Sequence, residues 1–594
     1  MRRLATFRGV AAAVAMAIAG SALAARAADK VPSERRLPTE TVGYFSVRDV
    51  QEFKQQWPQT LLGQMLAQKE MADFRDEFKA PLKQLSEKVQ EQIGVTLEDL
   101  LELPQGEVAL AVLPPKGATL PAALLLDFGN NRETVEKLLD KASQELVKNN
   151  AKRSEQDFEE TSLVIFELPE IKAEAEAADE EAPPPAPPRT VAWFVKDTYL
   201  VMGTTVDVLK AIVTRWDGNH ERTLAESPIY RYVQDRTRPT DEGRHPAVAF
   251  FADPISLLRG VLSTAGESNP QAAFAMGFIP TLGLDNFKGL GGTIEFVSND
   301  FDSVSRLLVY LEPPKTGLLK LLTFPTSAAA PPKWISAHTS SYMRLNWDVE
   351  QAWSTIQNLY DTFAGEEAFE RMIAQLAEGG PRIDLRKDII DQLSGTFRLA
   401  SEVANPEKLG TERYLAAIEL KDEAAFAKTL AAIAKTEGFP GKPREFQGTT
   451  IYEFAGAPEE EKEEGAEPIP TPGIAVTHKN LMIASDVALI ERVLRDDAAQ
   501  ESLADSQEYQ RVARHYPEKT SSVSFQRSDV QLRALYEMLR SGQAEQLLGD
   551  TKIDFSKLPP FEAIRPYLTP SGSYMIPDEK GLFFSSFSLR EAQK

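Results

Sequence analysis

The chain contains no cysteine in its 594 residues. That removes disulfides, thiolate nucleophiles and cysteine-based metal or iron–sulfur sites together. Histidine is scarce too: His220, His245, His338, His478 and His515 are the whole set. No two of them stand at zinc-ligand spacing, and no His-Glu-x-x-His occurs. There is no Gly-x-Ser-x-Gly elbow, no phosphate-binding loop and no dinucleotide fingerprint. Basic residues are outnumbered, with 66 Lys and Arg against 88 Asp and Glu and a net charge of -22. Such a surface offers no basic patch to a phosphate backbone and disfavours an anionic membrane. Long apolar runs are absent as well. A bilayer needs about 20 such residues, and candidates such as Leu120 to Phe128 have only strand length. The residues therefore predict no catalytic, cofactor-binding or metal-ligating constellation, no nucleic-acid partner and no membrane-spanning segment in the mature chain.

What is present begins with an export signal. Arg2, Arg3 and Arg8 form a positive start, Val10 to Gly20 an apolar run, and Ala22-Leu23-Ala24 and Ala25-Arg26-Ala27 supply small residues where a signal peptidase reads. Residues 1–27 are expected to be removed, with Ala24, Ala27 and Ala28 the candidate cleavage positions. Without cysteine there is no lipid-attachment motif. The expected location is the periplasm, the cell surface or the exterior.

Comparing the chain with itself is the most informative step. Leu224-Ala225-Glu226-Ser227-Pro228-Ile229-Tyr230 answers to Leu503-Ala504-Asp505-Ser506-Gln507-Glu508-Tyr509. Val195 to Thr204 runs parallel to Val476 to Ser485, and an apolar helical pattern follows both. Leu124 to Phe128 matches Ala416 to Leu420, and Asp99-Leu100-Leu101 with Gly106 matches Asp388-Ile389-Ile390 with Gly395. These matches keep one order and a nearly constant offset, near 280 residues for the first two pairs, the signature of a tandem duplication. Copy one is placed at residues 37–314 and copy two at 334–594. Residues 315–333, rich in Ala and Pro, form the expected linker.

Within each copy the fold class is α+β, a mainly antiparallel sheet packed by helices. Short alternating runs such as Val108 to Val112, Leu163 to Phe166, Trp193 to Val195 and Leu200 to Met202 suit a sheet with one wet face. Asp49, Asp253, Asp348 and Asp529 each follow a short strand and precede a helix, where a capping carboxylate belongs. Phe74, Phe78, Leu82, Leu85, Val89 and Ile93 keep helical spacing, with a kink or break expected at Pro81. Acidic, proline-rich inserts at 171–189 and 456–472 are solvated lengthenings of strand connections.

Little else invites chemistry. The 88 acidic residues leave room for a catalytic carboxylate pair, which only needs two of them about 5–10 Å apart in space. Trp216, Trp334, Trp347 and Trp353 suit packing better than a carbohydrate platform. Gly289-Leu290-Gly291-Gly292 enters a strand, so a bend or bulge is its expected role.

The opening Leu37-Pro38-Thr39-Glu40-Thr41-Val42-Gly43-Tyr44-Phe45-Ser46-Val47-Arg48-Asp49-Val50, with the later Leu-Ala-acidic-Ser-x-x-Tyr segment, resembles a family of exported bacterial proteins known only as a domain of unknown function. The resemblance covers most of both copies, more clearly the first. It implies a repeat-containing envelope protein and transfers no active site. Copy two departs at Ser341 to Asp348, which lacks the Leu-Pro start. The functional expectation is a non-enzymatic binding protein with an unknown protein or envelope partner. The alternatives are a carrier of lipid or another small ligand, and a hydrolase using carboxylates alone.

Overall fold

In the computed structural model the described residues are 30–93, 96–116, 119–169, 189–240, 244–266, 270–298, 300–378, 383–454, 470–495, 501–543 and 553–590. The export signal and nearly all of both acidic inserts lie outside them. The fold is α+β. The chain forms two compact units, one of Met1–Thr281 with Asp285–Glu312, the other of Leu282–Leu284 with Pro313–Lys594.

The first unit is an antiparallel sheet of β1 (Gly43–Val47), β2 (Val108–Val112), β3 (Ala122–Asp127), β4 (Lys152–Phe158), β5 (Thr161–Leu168), β6 (Arg189–Lys196), β7 (Tyr199–Gly203), β8 (Val248–Ala252), β9 (Phe287–Phe296) and β10 (Phe301–Leu311). Pairing gives the order β4-β5-β6-β7-β3-β2-β1-β8-β9-β10. The second unit opens with β11 (Ser327–Ala328). Its sheet comprises β12 (Ser341–Asn346), β13 (Leu393–Val403), β14 (Glu412–Leu420), β15 (Gly441–Phe446), β16 (Thr449–Phe454), β17 (Gly473–Thr477), β18 (Asn480–Ala484), β20 (Ser522–Gln526), β21 (Ser571–Asp578) and β22 (Gly581–Leu589), while β19 (Lys519–Thr520) pairs with β11. Its order is β15-β16-β17-β18-β14-β13-β12-β20-β21-β22. Strand for strand, this is the order of the first unit.

Local chemistry explains the connections. Asp197, His478 and Lys479 carry positive φ at the hairpins β6–β7 and β17–β18, as tight two-residue turns require. Asp49 accepts the amides of Gln51 and Glu52 at 2.8 and 3.0 Å, and Asp348 that of Gln351 at 2.9 Å. Asp253 takes Ser256 N at 2.9 Å. Asp529 differs. It sits inside the first turn of the helix Ser528–Met538, whose N-cap Arg527 makes no side-chain cap. Pro81 does not break its helix, which runs from Ala72 to Ile93.

The inner face of each sheet holds a core, and part of the outer face is packed as well, under Val135 in the first unit and Phe426 in the second. The helix Val206–Val213 buries Val208, Leu209, Ile212 and Val213, and its counterpart Val487–Arg495 buries Leu489, Ile490, Val493 and Leu494. Each such side chain stabilises by roughly 1.5–3 kcal/mol. Glycines allow close approach where Gly291 lies under Val233 of the helix Pro228–Thr237. The register of β9 and β10 shifts beside Gly289, between Tyr310 and Leu311, which is the bulge expected there.

Residues 315–333, expected as a linker, carry the short helix Gly317–Leu321 and strand β11. Polar anchors hold them, as described next.

Candidate functional site

The strands' inner-facing polar residues tie down the segment that precedes each sheet. In the first unit that segment is Lys30 to Leu37. Lys30 Nζ donates to Asp127 at 2.6 Å. Ser33 donates twice to Glu107, from its amide at 2.9 Å and its hydroxyl at 2.6 Å. Ser46 Oγ donates to the same carboxylate at 2.7 Å. Arg48 grips Glu34 with both terminal nitrogens, at 2.6 and 3.1 Å, the strong fork geometry of guanidinium with carboxylate. Arg36 lies over the rings of Tyr199 and Trp216, at 4.3 and 3.9 Å from their centroids. The amide of Leu224 then closes on the carbonyl of Leu37 at 2.8 Å.

Burial and neighbouring charge displace these groups. The Glu107 carboxyl is held above the ordinary range, by burial first and then by the Glu34 charge, against Arg48 and the serine hydrogen bonds. Burial, then both carboxylates, drives the Tyr44 hydroxyl well up. Burial alone would lower Arg48, but Glu34 reverses that and leaves it raised. Burial lowers Arg36 despite Tyr199 and the acids around it.

Glu34 and Glu107 are thus two converging carboxylates, one with a raised pKa, and Tyr44 reaches both at 3.2 and 3.4 Å. They are 8% and 6% exposed. Their oxygens are taken by the chain itself, so the pair is an anchor for the leading segment. General acid catalysis needs an acid within hydrogen-bond reach of substrate.

The second unit repeats the device with different chemistry. On the same inner face of β12 stand Tyr342, Arg344 and Asn346. Arg344, 2% exposed, donates to the carbonyls of Ala328 and Thr520 and to Thr520 Oγ1, the last at 2.6 Å. Asn346 Nδ2 donates to Pro325 O and Ser327 Oγ, each at 3.0 Å. Burial lowers the Arg344 pKa, opposed by Tyr342 and reinforced by Arg398.

The outer face of each sheet is the more informative surface. A one-sided antiparallel sheet carries polar residues on its outer face. Here a row of directly opposed residues crosses the first unit as Trp193, Met202, Leu124, Leu110, Phe45, Phe250, Gly292 and Leu307. The expectation of a wet polar face fails along this row. The helix Arg132–Lys148 and its neighbours cover the Trp193 end, and Phe53 covers the Val47 end of β1. Between them Phe45 stays 44% and Leu110 48% exposed. The second unit's row reads Ile474, Ile483, Ala416, Leu399, Met343, Ser524, Ser573 and Ser586, with Met343, Leu399 and Ile483 exposed. The helices after β8 and β20 expose apolar residues at matching places, Leu258 and Val261 in one, Leu532 and Leu535 in the other. Exposed apolar clusters of this kind mark sites of interaction.

The second unit also has an open cleft of about 430 Å³ lined by Glu508, Arg511, Arg527, Asp529, Glu562 and Arg565. Its charges balance, and Arg565 lies 3.5 Å from Asp529 and 3.6 Å from Glu562.

The histidines are scattered. His220 accepts the amide of Arg222, His478 contacts Thr477 at its hairpin, and His515 packs on Phe587. Trp216 is stacked by Arg36, Trp347 donates to Leu321 O, and Trp353 packs on Phe369. Among the described residues no three of His, Asp and Glu gather as metal ligands do, and no helix is long and apolar enough to cross a membrane.

Residues 321–552 match the family described as a protein of unknown function (DUF3352). The matched stretch lies in the second unit, whereas the opening residues that carry the resemblance lie in the first. No curated protein and no solved structure matches the chain.

Proposed function

We propose that this is an exported, non-enzymatic protein that binds an apolar partner across the open sheet faces of two units descended from one. The observation that carries the reading is the exposure of Phe45 and Leu110, opposed on adjacent strands in the middle of an otherwise apolar row. Monomeric proteins seldom leave such a cluster uncovered without a use for it. Export is supported by the Arg-rich start, apolar run and small residues of 1–27. Common descent of the units is supported by their identical strand order and by the repeated sequence segments. The periplasm, the cell surface or the exterior would then be the site of action.

The direct test uses Nile red, a neutral dye whose emission brightens in apolar surroundings. The full mature chain should enhance it, and the double variant Phe45→Glu with Leu110→Glu should lose a large part of the signal while keeping its circular dichroism. A wild-type chain that leaves the dye dark, or a double variant that brightens it equally, would refute binding at this face.

A further inference from the structure

The charged residues lining the second unit's open cleft of about 430 Å³ divide into two sets. Arg565 stands 3.5 Å from Asp529 and 3.6 Å from Glu562, and Glu562 also takes Arg533 at 3.0 Å. Those charges are engaged with the protein itself. Arg511, Arg527 and Glu508 are not: among the described residues, nothing forms a hydrogen bond or ion pair with their side chains. Glu508 and Arg511 belong to the helix Gln507–Ala513, three positions apart and so on one face of it. Arg527 directly follows β20. All three are half-buried, so each has lost part of its water without gaining a partner, which is unfavourable for a charge. The cleft's volume falls within the ~300–1,000 Å³ of small-molecule sites. Its polar groups are charged, so it would select by charge.

We propose that this cleft binds an acidic α-amino acid, a small molecule carrying two carboxylates and one ammonium. Two free guanidiniums and one free carboxylate are the mirror of that pattern. Each ligand carboxylate accepts from one guanidinium fork, Arg511 or Arg527, the geometry in which arginine binds carboxylates best. The ammonium donates to Glu508. The free groups carry one net positive charge and the ligand one net negative charge, so the occupied cleft is neutral. Asp529 and Glu562 sharpen the choice, because with Glu508 they repel a dianion that brings no ammonium, while Arg511 and Arg527 repel a simple cation. The first unit has replaced all three groups. Its matched segment puts Ile229 and Tyr232 where Glu508 and Arg511 stand, and the strand register puts Asp253 in the place of Arg527. The site therefore belongs to the second unit alone, and it does not depend on the apolar sheet faces.

Isothermal titration calorimetry of the full mature chain with L-glutamate, glutarate, L-glutamine and inorganic phosphate tests the assignment. L-Glutamate should bind saturably. It should bind about tenfold tighter than glutarate, which lacks the ammonium, and than L-glutamine, which lacks one carboxylate, the order expected for one lost charge-assisted hydrogen bond. Phosphate should bind more weakly than L-glutamate. Arg511→Gln and Arg527→Gln should each weaken L-glutamate about tenfold on the same grounds. Glu508→Gln should weaken L-glutamate while glutarate binds as well as before or better, which erases the preference between them. The three side chains make no bond within the protein, so the urea midpoints of these variants should match wild type. No saturable binding of L-glutamate, glutarate or phosphate binding as tightly as L-glutamate, a preference that survives Glu508→Gln, or arginine variants that bind like wild type would each overturn the proposal.

Discussion

Phe45 and Leu110 face each other across the β1–β2 pair on the outer side of the sheet, where both stay exposed, while their chain neighbours Tyr44 and Ala111 face each other on the buried inner side. The strand pair is therefore apolar on both faces, and on the outer one Val47 and Val108 are packed while Phe45 and Leu110 stay exposed. Replacing either exposed residue by Glu should change stability by no more than about 0.5 kcal/mol. Leu125→Ala, at a fully buried position on β3, should cost about 2–5 kcal/mol. Urea unfolding of the three single variants measures both.

Glu107 sets a pH dependence. Its carboxyl binds a proton more tightly in the folded unit than in the unfolded chain, because burial and the Glu34 charge raise it. Its contribution to stability is thus complete below the ordinary glutamate range and is lost as pH rises through the raised value. The slope is at most about 1.4 kcal/mol per pH unit. Glu107→Gln removes this titration. The stability difference, wild type minus variant, should fall steadily as pH is raised from about 4, as read from urea midpoints of both proteins. A difference independent of pH would contradict the raised carboxyl.

The four aspartates that follow short strands separate into two kinds. Asp253→Ala removes a cap on Ser256 N and should cost about 1 kcal/mol. Asp529→Ala removes only a 3.5 Å contact with Arg565 and should cost about 0.5 kcal/mol or less. Thermal denaturation of each variant distinguishes them.

Two glycines respond oppositely to a methyl group. At Gly292 an added Cβ would stand 2.0 Å from the carbonyl oxygen of Arg306 on the paired strand, so Gly292→Ala should cost about 2 kcal/mol or more. Gly277 lies in the helix Pro270–Thr281 with open space where a Cβ would go, and Gly277→Ala should stabilise by about 0.5–1 kcal/mol. The same unfolding curves provide the check.

The sequence carried the sheet's framework because hairpin turns and strand alternation are local. Asp197 and His478 mark equivalent turns, and the helices after β7 and β18 announce themselves by apolar spacing. What escaped was set by distance along the chain. The partners of Glu107 come from Ser33 and Ser46, and that of Asp127 from Lys30. No periodicity links such residues. The linker reading of 315–333 missed the anchors Arg344 and Asn346 for the same reason. The open apolar face did leave a trace. In Val108-Ala109-Leu110-Ala111-Val112 both alternate positions are apolar, and the large residues occupy the face away from the main core. Composition alone shows that both faces avoid charge. Only the packed structure shows which one stays open.

The leading segment Lys30 to Leu37 settles against residues distant in the chain: Asp127 is 97 positions away and Thr198 is 168, and the amide that closes on Leu37 belongs to Leu224. Closing a loop costs entropy that grows with its length, and contacts of high sequence separation slow folding. Residues 30–37 are therefore expected to be among the last of this unit to dock. Ser33 and Lys30 reach Glu107 and Asp127 directly, and Leu224 adds the backbone bond that closes the far end of the segment. The segment is expected to dock late in folding, as a latch that closes after the strands it bridges have met.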